Sequence, residues 1–113
     1  MKTERAFDPI FRQKFLLYHD CDFNEFHKEV TGGDYDGNAN VIEGYTINTD
    51  ESEICIWVKD IKNIPALIHE LCHAMQFALY SRCLVDHREY ELPAYYLEFL
   101  TQNFFENAQE DKE

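Results

Sequence analysis

The chain has few basic residues and no long hydrophobic run. Its 10 Lys and Arg residues stand against 22 Asp and Glu residues, which gives a formal net charge of -12. Binding to nucleic acid phosphates draws its affinity from Lys and Arg, so this charge argues against a nucleic acid partner. No stretch approaches about 18 consecutive apolar residues, so we expect no helix that spans a membrane. The acidity mainly favours solubility, although it would also attract a basic peptide or protein.

The first 20 residues also lack the features of a secretory signal peptide. Charged residues interrupt the apolar positions there, and no small-residue cleavage site follows them. The four cysteines, Cys21, Cys55, Cys72 and Cys83, form no CxxC pair. We therefore expect a cytoplasmic protein whose cysteines are small buried residues rather than disulfide partners or zinc ligands.

Chain length and apolar pattern predict one small α+β domain. A chain of 113 residues with 45% hydrophobic residues can bury one core but does not divide into two stable units. Apolar and β-branched segments bounded by turn residues predict strands at 41–48 and 53–59, joined as a hairpin by a short polar segment. The second has apolar residues on both faces, which predicts that it is covered on both sides. An apolar run within 11–19 fits either a buried strand or a helical turn. We expect a domain over residues 1–105, with a short sheet packed on helices, and a polar tail at 106–113.

Three segments have the spacing and the end signals of helices. The predicted helices cover 23–30, 64–82 and about 90–107. Asp20 or Asp22 can cap the first helix, and Asn63 can cap the second, whose apolar positions, Ile68 among them, are expected to pack on the sheet. Pro93 falls in the first turn of the third helix, where proline is tolerated.

The second predicted helix contains the motif His69-Glu70-Leu71-Cys72-His73. Residues four apart lie one above the other on a helix, so the two imidazoles can bind one zinc ion from the same side. Glu70 is rotated from His69 by about 100°, which puts its carboxylate beside the ion rather than on it. A carboxylate in that position can take a proton from a zinc-bound water. The motif therefore predicts a zinc site with Glu70 as general base.

A catalytic zinc ion also needs a third protein ligand and an open fourth position. A histidine six residues after His73 is one solution, but that position is Leu79. A glutamate from the following helix is another, and Glu91 lies 18 residues after His73 at the start of the third predicted helix. The competing acidic and histidine residues nearby are Asp86, His87, Glu89 and Glu98.

The segment 69–74, followed by Glu91, Ala94 and Leu97, resembles the motifs of the zincin peptidases that use a glutamate ligand, the gluzincins, in their minimal single-domain form. It is also similar to the ImmA/IrrE-type and phage-encoded peptidases, in which an HExxH helix is followed by an ExxAxxF/L helix. The resemblance covers about residues 41–105. The two motifs alone are specific.

The resemblance implies zinc-dependent peptide hydrolysis, with His69, His73 and Glu91 as zinc ligands and Glu70 as the base. It also implies a strand, a helix and a hairpin before two packed helices. The spacing to Glu91 is short for the larger gluzincins, and no Asp follows Glu91 at the usual supporting position. Glu98, two turns further on, could orient a ligand histidine instead.

Other interpretations of the sequence stay open. Tyr95 could donate to the oxyanion of a peptide transition state, but packing is the expected role of an aromatic residue in this helix. The whole chain could be a zinc-binding regulatory module without hydrolysis, which would bind zinc but cleave nothing. It could also be an acidic interaction protein that mimics nucleic acid charge, which would bind no stoichiometric zinc and whose partner binding would weaken with salt.

Overall fold

The computed structural model describes residues 1–49, 53–80 and 91–110, and four strands in these residues form one sheet. The strands are β1 (Lys2–Asp8), β2 (Gln13–His19), β3 (Gly44–Asn48) and β4 (Glu53–Val58). Their order across the sheet is β1-β2-β4-β3, with β2 and β4 parallel and the other two pairs antiparallel. The predicted hairpin of β3 and β4 is confirmed, and β3 forms an edge of the sheet in the described part of the chain. The first strand of the hairpin begins at Gly44 rather than at 41, because Ala39–Val41 form a short 3-10 helix.

The described residues also form three α-helices, and the predicted α+β class is confirmed. These helices are α1 (Phe23–Thr31), α2 (Ile64–Tyr80) and α3 (Glu91–Glu110). The apolar run in 11–19 is a strand, β2. The first strand, β1, was not predicted. None of the described helices is long and apolar enough to cross a membrane.

Local capping fixes both ends of α1. The carboxylate of Asp22, rather than that of Asp20, accepts the backbone N–H of Glu25 at 2.8 Å. Gly32 ends the helix with φ at 78°, and its N–H donates to the Lys28 carbonyl at 2.8 Å. A left-handed backbone of this kind favours glycine because it lacks a Cβ.

Strand β4, one of the two inner strands, separates two apolar layers, as the apolar residues on both of its faces predict. Ile54, Ile56 and Val58 lie in the main core with buried residues of α2 and α3. Cys55 and Trp57 lie in a smaller core on the α1 side. Because both of its faces are buried, β4 holds two neighbours in place: β3 pairs with it, and α2 packs on one of its faces.

Helix α2 packs on the sheet through one face. Asn63 caps it, since its side-chain oxygen accepts the N–H of Ala66 at 3.3 Å. The fully buried residues of this face are Leu67, Leu71, Ala74, Ala78 and Leu79. The expectation that Ile68 belongs to the packed face is wrong, because its side chain is 42% exposed. Residues 81 and 82, predicted as the end of this helix, lie outside the described residues.

Helix α3 contributes Tyr96, Leu100 and Phe104 to the main core. Pro93 lies near its described start, as expected for proline in a helix. The helix continues past Asn107 to Glu110, so part of the segment predicted as a polar tail is helical. Tyr90, the predicted first residue of this helix, lies outside the described residues.

Candidate active site

His69 and His73 lie on the exposed outer face of α2, and their rings point at each other. Their Nε2 atoms are 3.1 Å apart, and the ring planes are nearly perpendicular at 84°. Two nitrogen ligands of a tetrahedral zinc ion, each about 2.0–2.1 Å from it, are separated by about 3.3 Å. The spacing of the two nitrogens therefore suits a shared zinc ion. Without the ion, the same distance suits a hydrogen bond between two neutral rings.

Gln76 supports the second histidine from one turn further along α2. Its Oε1 atom lies 3.3 Å from Nδ1 of His73. Because an amide oxygen only accepts, this contact favours the tautomer of His73 with its proton on Nδ1. That tautomer leaves the lone pair of Nε2 available for a metal ion, and outer partners of this kind orient metal-binding histidines in general.

The carboxylate of Glu70 lies between α2 and the edge strand β3. Glu70 is only 6% exposed, although both neighbouring histidines of the motif are on the exposed face. Thr46 of β3 donates its hydroxyl to Oε1 of Glu70 at 2.7 Å. The same hydroxyl oxygen lies 3.3 Å from the backbone carbonyl oxygen of Glu70. One side chain of the strand thus fixes the carboxylate.

Gly44 lies close to the same side chain, near its Oε2 and Cγ atoms. A Cβ at position 44 would come within 2.7 Å of both Cγ and Oε2 of Glu70. Such a distance is too short for any real contact, so the glycine provides the space that Glu70 occupies. The requirement is one of space, since φ of Gly44 is outside the left-handed region.

An open groove of about 610 Å³ begins at the site and follows β3 and the first turns of α2. Both His69 and Glu70 line it. Its other walls are mainly apolar or aromatic and include Tyr35, Ile42 and Pro65. An edge strand has backbone groups available for pairing, so an extended peptide can add to β3 along this groove.

The structure does not bring Glu91 together with the two histidines. Glu91 is the first described residue of α3, and its side chain is exposed. Within residues 1–49, 53–80 and 91–110, no three His, Cys, Asp or Glu side chains are close enough to share a metal ion. Glu98 is also exposed. The remaining candidates, Asp86, His87 and Glu89, fall outside the described residues.

The expected packing role of Tyr95 is wrong, because its side chain is 65% exposed. Tyr96, the next residue, takes the buried aromatic position in the main core. Cys72, within the motif, is half-buried and free.

Two cysteines on the opposite side of the sheet have weakly acidic thiols. Burial raises the pKa of the Cys55 thiol to about 11, and the charge of Glu53 adds to the effect. Burial also raises the pKa of Cys21, with a further contribution from Glu25. Since the thiolate is the reactive form, both groups are poor nucleophiles and suit a packing role.

Sequence reasoning missed three residues that support the site. Gln76 could have been found, because a residue three positions after His73 lies beside it on the helix. Thr46 and Gly44 alternate along β3 and therefore share a face of the strand. Which helix that face meets depends on tertiary packing, so their contact with Glu70 could not be read from the pattern.

Comparison of the chain with protein families, curated proteins and solved structures finds no match. The likeness to gluzincins therefore stays an interpretation of the two motifs.

Proposed function

We propose that the chain is a zinc-dependent peptidase that hydrolyses peptide bonds through a water molecule activated by Glu70. One observation carries the proposal: the Nε2 atoms of His69 and His73 are 3.1 Å apart at the end of a groove that Glu70 also lines. Zinc ligands, a carboxylate and an extended peptide would all meet at this point. A hydrolytic site needs that combination.

The ion would be held by His69 and His73, with Glu91 as the third ligand. The two histidines are supported by the spacing of their nitrogens and by Gln76. The assignment of Glu91 rests on its position in the sequence motif. When bound, zinc supplies a water of lowered pKa and polarises the scissile carbonyl.

The chain's own residues account for the proton transfers and for substrate binding. Glu70 would take the proton of the attacking water and return it to the leaving amine. The edge strand β3 would hold the peptide backbone in an extended form. The net charge of -12 favours peptides with basic residues. The proposed substrate is thus a peptide or protein, and neither nucleic acid nor membrane is a proposed partner.

The proposed compartment is the cytoplasm. Cys21, Cys55 and Cys72 are free in the structure. Free thiols of this kind persist where glutathione and thioredoxin keep cysteines reduced.

Metal content and peptide cleavage together test the proposed function. Protein purified without added zinc should contain one equivalent of zinc, measured by mass spectrometry of the metal. The zinc-loaded protein should cleave members of a quenched-fluorescence peptide library. Glu70→Gln should keep the zinc and lose cleavage by about 100-fold or more, the usual contribution of a general base.

A zinc-binding regulatory module is the second candidate, because no group of three His, Cys, Asp or Glu side chains that could hold a metal ion converges among the described residues. It predicts one equivalent of zinc, no cleavage of any library member, and no functional effect of Glu70→Gln. Protein that binds no zinc at all would contradict both functions and would favour the acidic interaction protein.

A further inference from the structure

We propose that Thr46 and Gly44 of the edge strand position the carboxylate of Glu70 for its role as general base, an inference that rests on the proposed peptidase function. Neither residue belongs to the HExxH or ExxA motif. Both lie on β3, more than twenty residues before Glu70 in the chain, and both meet its side chain. They act as positioning residues, since the proposed reaction is carried out by Glu70.

A glutamate on a helix does not hold its own carboxylate in place. Several side-chain bonds can rotate, and a general base works only within hydrogen-bond reach of the proton that it takes. Thr46 restricts this freedom from outside the helix, through a 2.7 Å hydrogen bond to Oε1. A hydroxyl has one hydrogen to donate, and the carboxylate at 2.7 Å is a better acceptor than the carbonyl at 3.3 Å.

Gly44, on the same face of β3 as Thr46, leaves the space that the Glu70 side chain fills. A methyl group at this position would overlap Cγ and Oε2 of Glu70, each at 2.7 Å. The atoms that would have to give way belong to the flexible side chain of Glu70. Gly44→Ala should therefore displace the carboxylate itself, while the strand and the helix keep their places. This variant keeps Glu70 but moves its carboxylate, so it tests the position of the general base alone.

A purely structural role for Thr46 makes different predictions. If the residue only fastens β3 to α2, Thr46→Val lowers stability but leaves the folded protein with normal turnover. A positioning role predicts lower kcat with KM and zinc content nearly unchanged. Thr46→Ser, which keeps the hydroxyl and loses only a methyl group, should then restore most of kcat.

The experiment compares Thr46→Val, Thr46→Ser and Gly44→Ala as zinc-loaded proteins, with the library peptide that the unaltered protein cleaves fastest as probe. We expect kcat to fall about 10-fold to 100-fold in Thr46→Val and Gly44→Ala, as for other misplaced catalytic groups. Two controls should keep normal kcat. Ile47→Val alters the opposite face of β3, and Gly33→Ala adds a methyl group where no atom lies within 4 Å.

A second measurement does not depend on activity. Urea unfolding of the zinc-free Thr46→Val, Glu70→Ala and double variants forms a double-mutant cycle. The effects of the two substitutions should not add, because each removes one partner of the same hydrogen bond.

Each outcome supports or overturns the inference. Normal kcat in Thr46→Val and Gly44→Ala, with cleavage by the unaltered protein intact, overturns the positioning role and leaves the peptidase standing. Additive effects in the cycle overturn the Thr46 contact. Absence of cleavage by the unaltered protein overturns the proposed function, and the positioning role with it, whatever the cycle gives.

Discussion

Nδ1 of His73 lies 3.3 Å from Oε1 of Gln76, one turn further along α2. The contact is local to the helix, so it forms wherever α2 forms. It selects the tautomer of His73 that has a free lone pair on Nε2, the atom that faces His69. The helix thereby prepares one of its two histidines for a metal ion.

Loss of this contact should weaken zinc binding. Gln76→Leu keeps the side-chain size but removes the acceptor, and we expect zinc affinity to fall about 10-fold or more, as for other outer partners of metal-binding histidines. Competition with a zinc-binding dye measures the change. Gln102→Leu, the same substitution at an exposed position of α3, is the control. Equal affinities for the two variants would show that Gln76 does not support the site.

The third ligand can be identified by comparing two glutamates of α3. Glu91→Ala should reduce zinc affinity, because a site with two protein ligands binds zinc less tightly than a site with three. Glu98→Ala should leave it unchanged. Both residues are exposed in the structure, so neither substitution is expected to disturb folding. If both variants retain zinc equally, Glu91 is not a ligand, and the two-histidine regulatory module becomes the better interpretation.

The packed face of α2 should be far more sensitive to truncation than its outer face. Leu71 is fully buried in the main core, whereas Ile68 is partly exposed on the same helix. Leu71→Ala should lower the free energy of unfolding by about 2–5 kcal/mol, since it leaves a cavity. Ile68→Ala should cost less than about 1 kcal/mol. Urea unfolding measures both, and similar losses would contradict the burial of this face.

Stability should fall in alkaline solution, in part because of Cys55. Burial raises the pKa of its thiol in the folded protein from 9.0 to about 11, so the unfolded chain releases this proton first. The contribution of Cys55 to the free energy of unfolding is therefore fully present below about pH 9 and is lost as the pH rises towards about 11. Urea unfolding across this range measures the decrease.

The Cys55→Ala variant should lose less stability over the same pH range, because it has no thiol to titrate. Val58→Ala truncates the same strand without removing a thiol and is the control. Its pH dependence should match that of the unaltered protein. A decrease that is the same in all three proteins would rule out Cys55 as a source.

The sequence predicted the strands and helices whose apolar residues show a clear pattern. It missed β1, whose pattern is unclear. Strand β4 has apolar residues on both faces, and α2 has a clear cap at Asn63, so both were found. At the end of β1 the pattern is inverted, since Phe7 is 49% exposed while Asp8 is buried. An apolar residue outside and a carboxylate inside give no strand signal. The parallel pairing of β2 with β4 is a long-range contact that no local pattern specifies.

In the candidate site, too, the sequence predicted one part and missed another. The approach of His69 to His73 follows from helix geometry alone, so the motif was sufficient to predict it. The burial of Glu70 does not follow from that geometry. It depends on β3 lying across α2, which brings Thr46 and Gly44 to the carboxylate. These contacts join distant parts of the chain.

Zinc binding by the two histidines and proton transfer by Glu70 should therefore differ in their sensitivity to local unfolding. The pairing of His69 with His73 needs only an intact α2. The position of the Glu70 carboxylate also needs the edge strand β3 to stay paired with the sheet. Edge strands can open at a lower free energy than a buried core. On mild heating, peptide cleavage would then be lost while zinc is still bound. The measured zinc content would therefore exceed the fraction of molecules that are catalytically active.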